Sequence, residues 1–220
     1  MRHVTIALAV ARKDLLSEWR SRELVPALAQ FLVLALVIAN FGFSINSDNA
    51  QAIVPGVLWL ALVFAALVGF GRAFAAEKEQ ATLEAMLLTS AAPAAIFAGK
   101  AIAATLLLVL CEAVLLPALA LFFGTPLTFV LAAAVLLATI GMAALGCLFA
   151  AMVAQLRARE VLLPLLTLPL WIPFIVAGGQ AVQVMMGAEG TFDQALRLLI
   201  AFDILFVVLT SLAARFVLDE

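Results

Sequence analysis

"LTFVLAAAVLLATIGMAALGCLFAAMVA", residues 127–154, contains no Asp, Glu, Lys, Arg or His. A helix needs about 20 predominantly apolar residues to cross the ~30 Å hydrocarbon layer of a bilayer, and only a structure that bonds all its own backbone groups is stable there. The same signal recurs along the chain. Residues 24–43, 53–74, 96–123, 161–182 and 196–218 are further apolar runs of spanning length, so six transmembrane helices are predicted. Segments of ~10 residues with alternating polarity, the mark of a membrane β-barrel, are not seen. Composition agrees: 67% of the residues are hydrophobic and 12% charged, against about half and a quarter in soluble domains. In 220 residues the spans leave no length for a separate soluble unit, and the chain reads as one all-α membrane domain over residues 1–220.

Charge placement predicts orientation. Arg2, Arg12, Lys13, Arg20 and Arg22 precede the first span, Arg72, Lys78 and Lys100 flank the connection between spans two and three, Arg157 and Arg159 lie between spans four and five, and Arg215 is near the end. The alternate connections, 44–52, 124–126 and 183–195, contain no Lys or Arg. By the positive-inside rule both termini face the cytoplasm. Residues 1–23 carry Val4, Ala7, Leu8, Ala11, Leu15 and Trp19 at helical spacing, with Arg12, Lys13, Glu18 and Arg22 on the other side. That is the pattern of an amphipathic helix lying in the membrane interface, preferred here over a cleaved signal peptide.

Between spans two and three lies a polar island, "EKEQATLEAMLLTSAAPAAIFAGK", residues 77–100. Glu77, Gln80 and Glu84 share one helical face and Leu83, Met86 and Leu87 the other, so a short cytoplasmic helix over residues 76–90 is expected to rest on the membrane as a docking ledge.

Candidate chemistry is sparse. His3 is the sole histidine, so the spans offer no imidazole base or metal ligand. Cys111 and Cys147 are not in a C-x-x-C arrangement and read as small buried hydrophobes. Gly99-Lys100-Ala101 lacks the upstream glycine and the hydroxyl residue of a phosphate-binding P-loop. No metal or cofactor is expected on this chain, no catalysis, and no nucleic-acid partner; a transporter of this kind needs an ion gradient or a separate ATPase. Two carboxylates fall inside spans, Glu112 and Asp203. Each is read either as a proton- or substrate-path residue or as a neutral acid bonded between helices, the second preferred, with interfacial snorkelling a further reading for Asp203. In the fifth span, "VLLPLLTLPLWIPFIVAGG", Pro164, Pro169 and Pro173 each remove a backbone N–H, so a kinked or partly unwound segment is expected, serving as hinge or pathway wall. Trp59 and Trp171 join that pathway set, although an aromatic in a span is more often packing. Gly146, Ala150 and Ala154 form a small-residue face for close helix contact, within the subunit or with a second copy.

The polar island resembles the segment of ABC-2 type permeases in which an acidic residue precedes a Gly/Ala-Thr-Leu-Glu, Leu-Leu, Thr-Pro pattern and a later Gly-Lys. Here these are Glu77, Thr82-Leu83-Glu84, Leu87-Leu88, Thr89 and Gly99-Lys100, with departures at Ala81 and Ser90. Within that class the whole chain is similar to the CcmB family, the haem exporter permease subunit of cytochrome c maturation, most specifically at "PGVLWLALVFAAL", residues 55–67, and "LLPLLTLPLWIPFIV", residues 162–176. The resemblance implies a non-catalytic subunit of the bacterial inner membrane, driven by ATP bound to a CcmA-like ATPase and working with CcmC- and CcmD-like membrane proteins and a CcmE-like haem chaperone. It implies that Glu77, Thr82, Leu83, Glu84, Leu87 and Leu88 couple to the ATPase. Haem is then handled by the complex, and the energy of hydrolysis goes into haem export or into release of haem-loaded chaperone. An exporter of another amphiphile and a non-transporting scaffold for haem-handling proteins are the alternatives.

Overall fold

In hydrocarbon every backbone N–H and C=O must find its partner inside the segment, and the apolar runs accordingly fold as helices. The computed structural model describes residues 2–21, 24–43, 49–73, 93–154, 156 and 158–218. Seven α-helices occur among them: α1 (Arg2–Ser21), α2 (Leu24–Phe43), α3 (Ala50–Ala73), α4 (Pro93–Phe123), α5 (Phe129–Val153), α6 (Arg159–Met185) and α7 (Phe192–Leu218). Six of them, α2 to α7, are long and apolar enough to span a bilayer, and the chain is a multi-pass membrane protein. The expected helix over 76–90, with Glu77, Thr82, Leu83, Glu84, Leu87 and Leu88, lies outside the described residues.

Helix α5 is the axis of the packing. Its buried residues, among them Leu131, Val135, Thr139, Met142, Leu145 and Leu148, run round its whole circumference, and it is flanked by α3, α4, α6 and α7. It starts where Thr128 takes an extended conformation (φ −111°, ψ 151°) and its hydroxyl accepts the Leu131 N–H at 3.1 Å, meeting one of the donors that a helix start leaves open. The preceding helix stops at Gly124, whose φ of +65° is the left-handed conformation that glycine adopts without strain. Helix α2, by contrast, buries a single stripe of Leu24, Leu28, Leu32, Leu36 and Ala39 and leaves Leu34, Ile38 and Phe41 exposed, as a helix at the lipid boundary does.

Helix α1 packs chiefly on α4. Ala7, Val10 and Ala11 are buried there, while Val4, Leu8 and Trp19 remain exposed. Its apolar arc is thus divided between a protein contact and an open apolar strip, rather than given wholly to one surface.

Two expectations need correction. Helix α6 continues from Arg159 to Met185 with Pro164, Pro169 and Pro173 inside it, so of the two expected forms, kinked or partly unwound, the second is excluded. Each proline removes one bond from the ladder, and the bonds around it hold. The three rings also lie off the buried stripe of Leu163, Thr167, Trp171, Phe174, Ala177 and Ala181, Pro169 being exposed and the other two half-buried. Helix α7 begins at Phe192, before the apolar run proper. Asp203 therefore sits near the middle of its helix and not close to an interface, and it is 8% exposed, so the snorkelling reading fails.

Candidate functional site: the central turn of α5

Thr139 to Met142 form one turn at the midpoint of α5, and side chains from three other helices converge on it. From α4, Glu112 accepts a hydrogen bond from the Thr139 hydroxyl. From α6, the Trp171 Nε1–H donates to the Met142 carbonyl at 3.2 Å. From α6 and α7, Phe174 and Asp203 close on Gly141: a Cβ placed there would lie 2.2 Å from Phe174 Cε1 and 2.4 Å from Asp203 Oδ1. Glycine is thus required at 141 for contact, since its backbone is ordinary helix. Thr139 and Gly141 point to nearly opposite sides of α5, so the two carboxyl groups flank this helix at one depth, separated along its axis by about 3 Å of helical rise.

The turn is sealed by aromatic rings. Phe174 packs against Phe206 with centroids 5.6 Å apart and against Phe202 at 6.0 Å. Trp171 and Phe174 are fully buried, and Trp171 meets the Phe70 ring of α3 at 5.9 Å. Phe70 in turn fills the space left by Gly146, where a Cβ would be 2.4 Å from its ring. The small-residue face of α5 is occupied inside the subunit, with Ala150 and Ala154 also buried.

Of the residues singled out from sequence, Glu112 and Trp171 are brought together here, joined by Asp203. Trp59 is not. It is buried on α3 against Gly178, whose added Cβ would be 2.1 Å from its Cζ2, seven residues of α6 beyond Trp171, or roughly 10 Å along the helix. Pro164, Pro169 and Pro173 lie off the buried stripe of α6 that carries Trp171 and Phe174.

A second polar contact had no sequence signal. Lys100, 3% exposed at the start of α4, donates to Asp14 Oδ2 of α1 at 3.2 Å, and Lys13 reaches the other oxygen of Asp14 at 3.0 Å. Next to it Gly99 lets α1 approach closely, since a Cβ there would be 2.5 Å from the Ala7 carbonyl and 2.7 Å from Val10 Cβ. Asp14 and Lys100 are 86 residues apart, which is why no local pattern reveals the pair.

The chain is similar over most of its length to known proteins. The chain is 33% identical to heme exporter protein B of Paracoccus denitrificans over 192 residues, 86% of each chain. It is 32% identical to that of Rhodobacter capsulatus over 162 residues, 73% of each, and 31% identical to that of Pseudomonas aeruginosa over 184 residues, 82% of this chain and 81% of the relative. The family described as CcmB protein matches residues 5–219, nearly the full length of the helical bundle, and the chain belongs to that family.

Proposed function

We propose that this protein is the permease subunit of an ATP-driven haem exporter complex of the bacterial inner membrane, with both termini and α1 on the cytoplasmic side. The single observation that carries the reading is the end-to-end match to the CcmB family and to relatives named heme exporter protein B. ATP is bound and hydrolysed by a separate CcmA-like subunit, in keeping with the lack of a P-loop sequence here. Residues 76–90 receive the movement of that subunit through Glu77, Thr82, Leu83, Glu84, Leu87 and Leu88. CcmC- and CcmD-like membrane proteins and a CcmE-like chaperone complete the pathway, and the whole of residues 1–220 acts as one membrane domain.

Haem enters as cargo. Its axial ligands would come from Met, Cys or another subunit, since no span contains histidine. The central turn of α5 has no space for a methyl group at Gly141, let alone a tetrapyrrole. That packing favours a role in which hydrolysis drives release of haem-loaded chaperone over one in which haem passes beside this turn. Coupling of either kind requires that nucleotide states favour different conformations of the bundle.

The test is to purify the tagged protein from its native membrane in mild detergent and identify its companions by mass spectrometry. An ATP-binding subunit together with haem-handling proteins is expected. An ATPase without them would point to export of another amphiphile, and no ATPase would refute the coupling role of residues 76–90. Glu84→Lys is expected to abolish cytochrome c maturation while the protein remains in the membrane.

A further inference from the structure

Asp203 is the least explained group in the bundle. Both of its carboxyl oxygens are buried and make no hydrogen bond of ordinary geometry among the described residues, with only the Gly141 backbone approaching, and such a group in a native structure calls for a ligand or a second state. No cation faces it. Helix α5 contains no charged residue at all, its one titratable side chain being Cys147. Helix α6 has Arg159 and Glu160 only, at its first turn. On α4 the titratable groups are Lys100, paired with Asp14, Cys111 and Glu112, the last bonded to Thr139 across α5. On α7 itself Arg197 lies six residues away, about 9 Å along the helix, is 78% exposed and pairs with Asp193 at 2.6 Å; Arg215 lies twelve residues away in the other direction, about 18 Å along the helix.

Space decides what the carboxyl holds. On the side of α5 the carboxyl lies directly against the helix, with Asp203 and Phe174 both inside 2.5 Å of the Gly141 Cβ position, so nothing can be inserted between Asp203 and Gly141. The rings of Phe202 and Phe206 stand behind Phe174. No group of three His, Cys, Asp or Glu among the described residues could bind a metal ion. A hydrated or metal cation is too large, and an ionised carboxylate without a partner costs about 2.5–3.5 kcal/mol or more at mid-membrane depth. A proton neutralises the carboxyl without needing any space at this contact.

We propose that Asp203 is a proton-binding site at the contact of α7 with α5, holding its proton while the two helices are packed and able to release it only when that contact opens. The proton thereby becomes part of the packed state, and any conformational step that separates α7 from α5 at Gly141 is linked to proton exchange.

The test is infrared spectroscopy of the full-length protein in lipid at neutral pH. The difference between wild type and Asp203→Asn is expected to show loss of a protonated carboxyl band. Carbon-13 in the aspartate carboxyls supplies the same reading without a variant, because the other aspartates, at positions 14, 48, 193 and 219, lie outside the span interiors and one shifted protonated band is expected. Carboxylate bands only, in the labelled wild type, would overturn the proposal. Raising the pH until the band disappears should release hydrogen-exchange protection around residue 203 in the same step; loss of the band with protection unchanged would overturn the link to helix separation.

Discussion

Replacing Gly141 by alanine adds one methyl group at one of the closest contacts of the bundle. A helix gains about 1 kcal/mol from Gly→Ala in propensity alone. Against this, the new Cβ would stand 2.2 and 2.3 Å from Phe174 and 2.4 Å from Asp203, where ordinary contact needs well over 3 Å. Phe174 is fully buried with two rings behind it, so the overlap is not relieved by a simple side-chain swing, and overpacking of this kind costs about 1–3 kcal/mol. Gly56 in α3 is the control. It is exposed and nothing lies within 4 Å of its Cβ position, so Gly56→Ala receives the propensity term without the overlap. The two variants should therefore differ in unfolding free energy by about 1–3 kcal/mol, roughly 5- to 150-fold in the unfolding equilibrium, with Gly141→Ala the weaker. Reversible unfolding in bicelles, read by accessibility of an engineered tag on the partner helix, measures that difference. The double variant Gly141→Ala with Phe174→Leu should recover at least about 0.5 kcal/mol through their coupling. Single variants within about 0.5 kcal/mol of each other would refute the close contact at the centre of α5.

Other outcomes follow from the same geometry. Trp171→Phe keeps the ring packing and removes the bond to Met142, and should cost about 0.5–1.5 kcal/mol, against about 3–5 kcal/mol for Trp171→Ala, by the same unfolding assay. Thr139→Val leaves the shape of α5 nearly unchanged and takes a donor from Glu112; a loss of about 1–3 kcal/mol is expected, and a neutral result would remove that bond from the account. Asp14→Asn weakens the contact to Lys100 and should raise amide exchange across α1 while leaving α5 protected, with a stability loss of about 1–3 kcal/mol. Equal exchange changes in both helices would mean that α1 is not a separately docked element.

What sequence made legible was the part governed by solvent. Apolar runs locate α2 to α7 because hydrocarbon accepts no other backbone arrangement, and Gly146 was identifiable as a close-contact position from its neighbours at four-residue spacing. Depth was harder. The polar first turns of α7, with Asp193 and Arg197, extend the helix beyond its apolar run, and that shift moves Asp203 from an apparent edge to the middle. The prolines of α6 suggest a kinked or partly unwound segment by their count, yet each removes a single N–H and the helix runs on past all three. The contact of Asp14 with Lys100 and the convergence of Glu112, Trp171 and Asp203 on one turn depend on how helices are arranged around α5, and no spacing within a single segment encodes it. Gly141 was not singled out at all, because a lone glycine in an apolar span is unremarkable until its neighbours are known.

The docking of α1 on α4 also has a consequence for biogenesis. Asp14 and Lys100 are separated by 86 residues, so at a ribosomal rate of roughly 5–20 residues per second, α1 is complete for about 4–17 seconds before its partner residue has been made. During that interval its future protein face, Ala7, Val10 and Ala11, is without the helix that will cover it. Helix α1 is thus fixed late, and a chain arrested between α3 and α4 would present α1 in a form that the finished protein never shows.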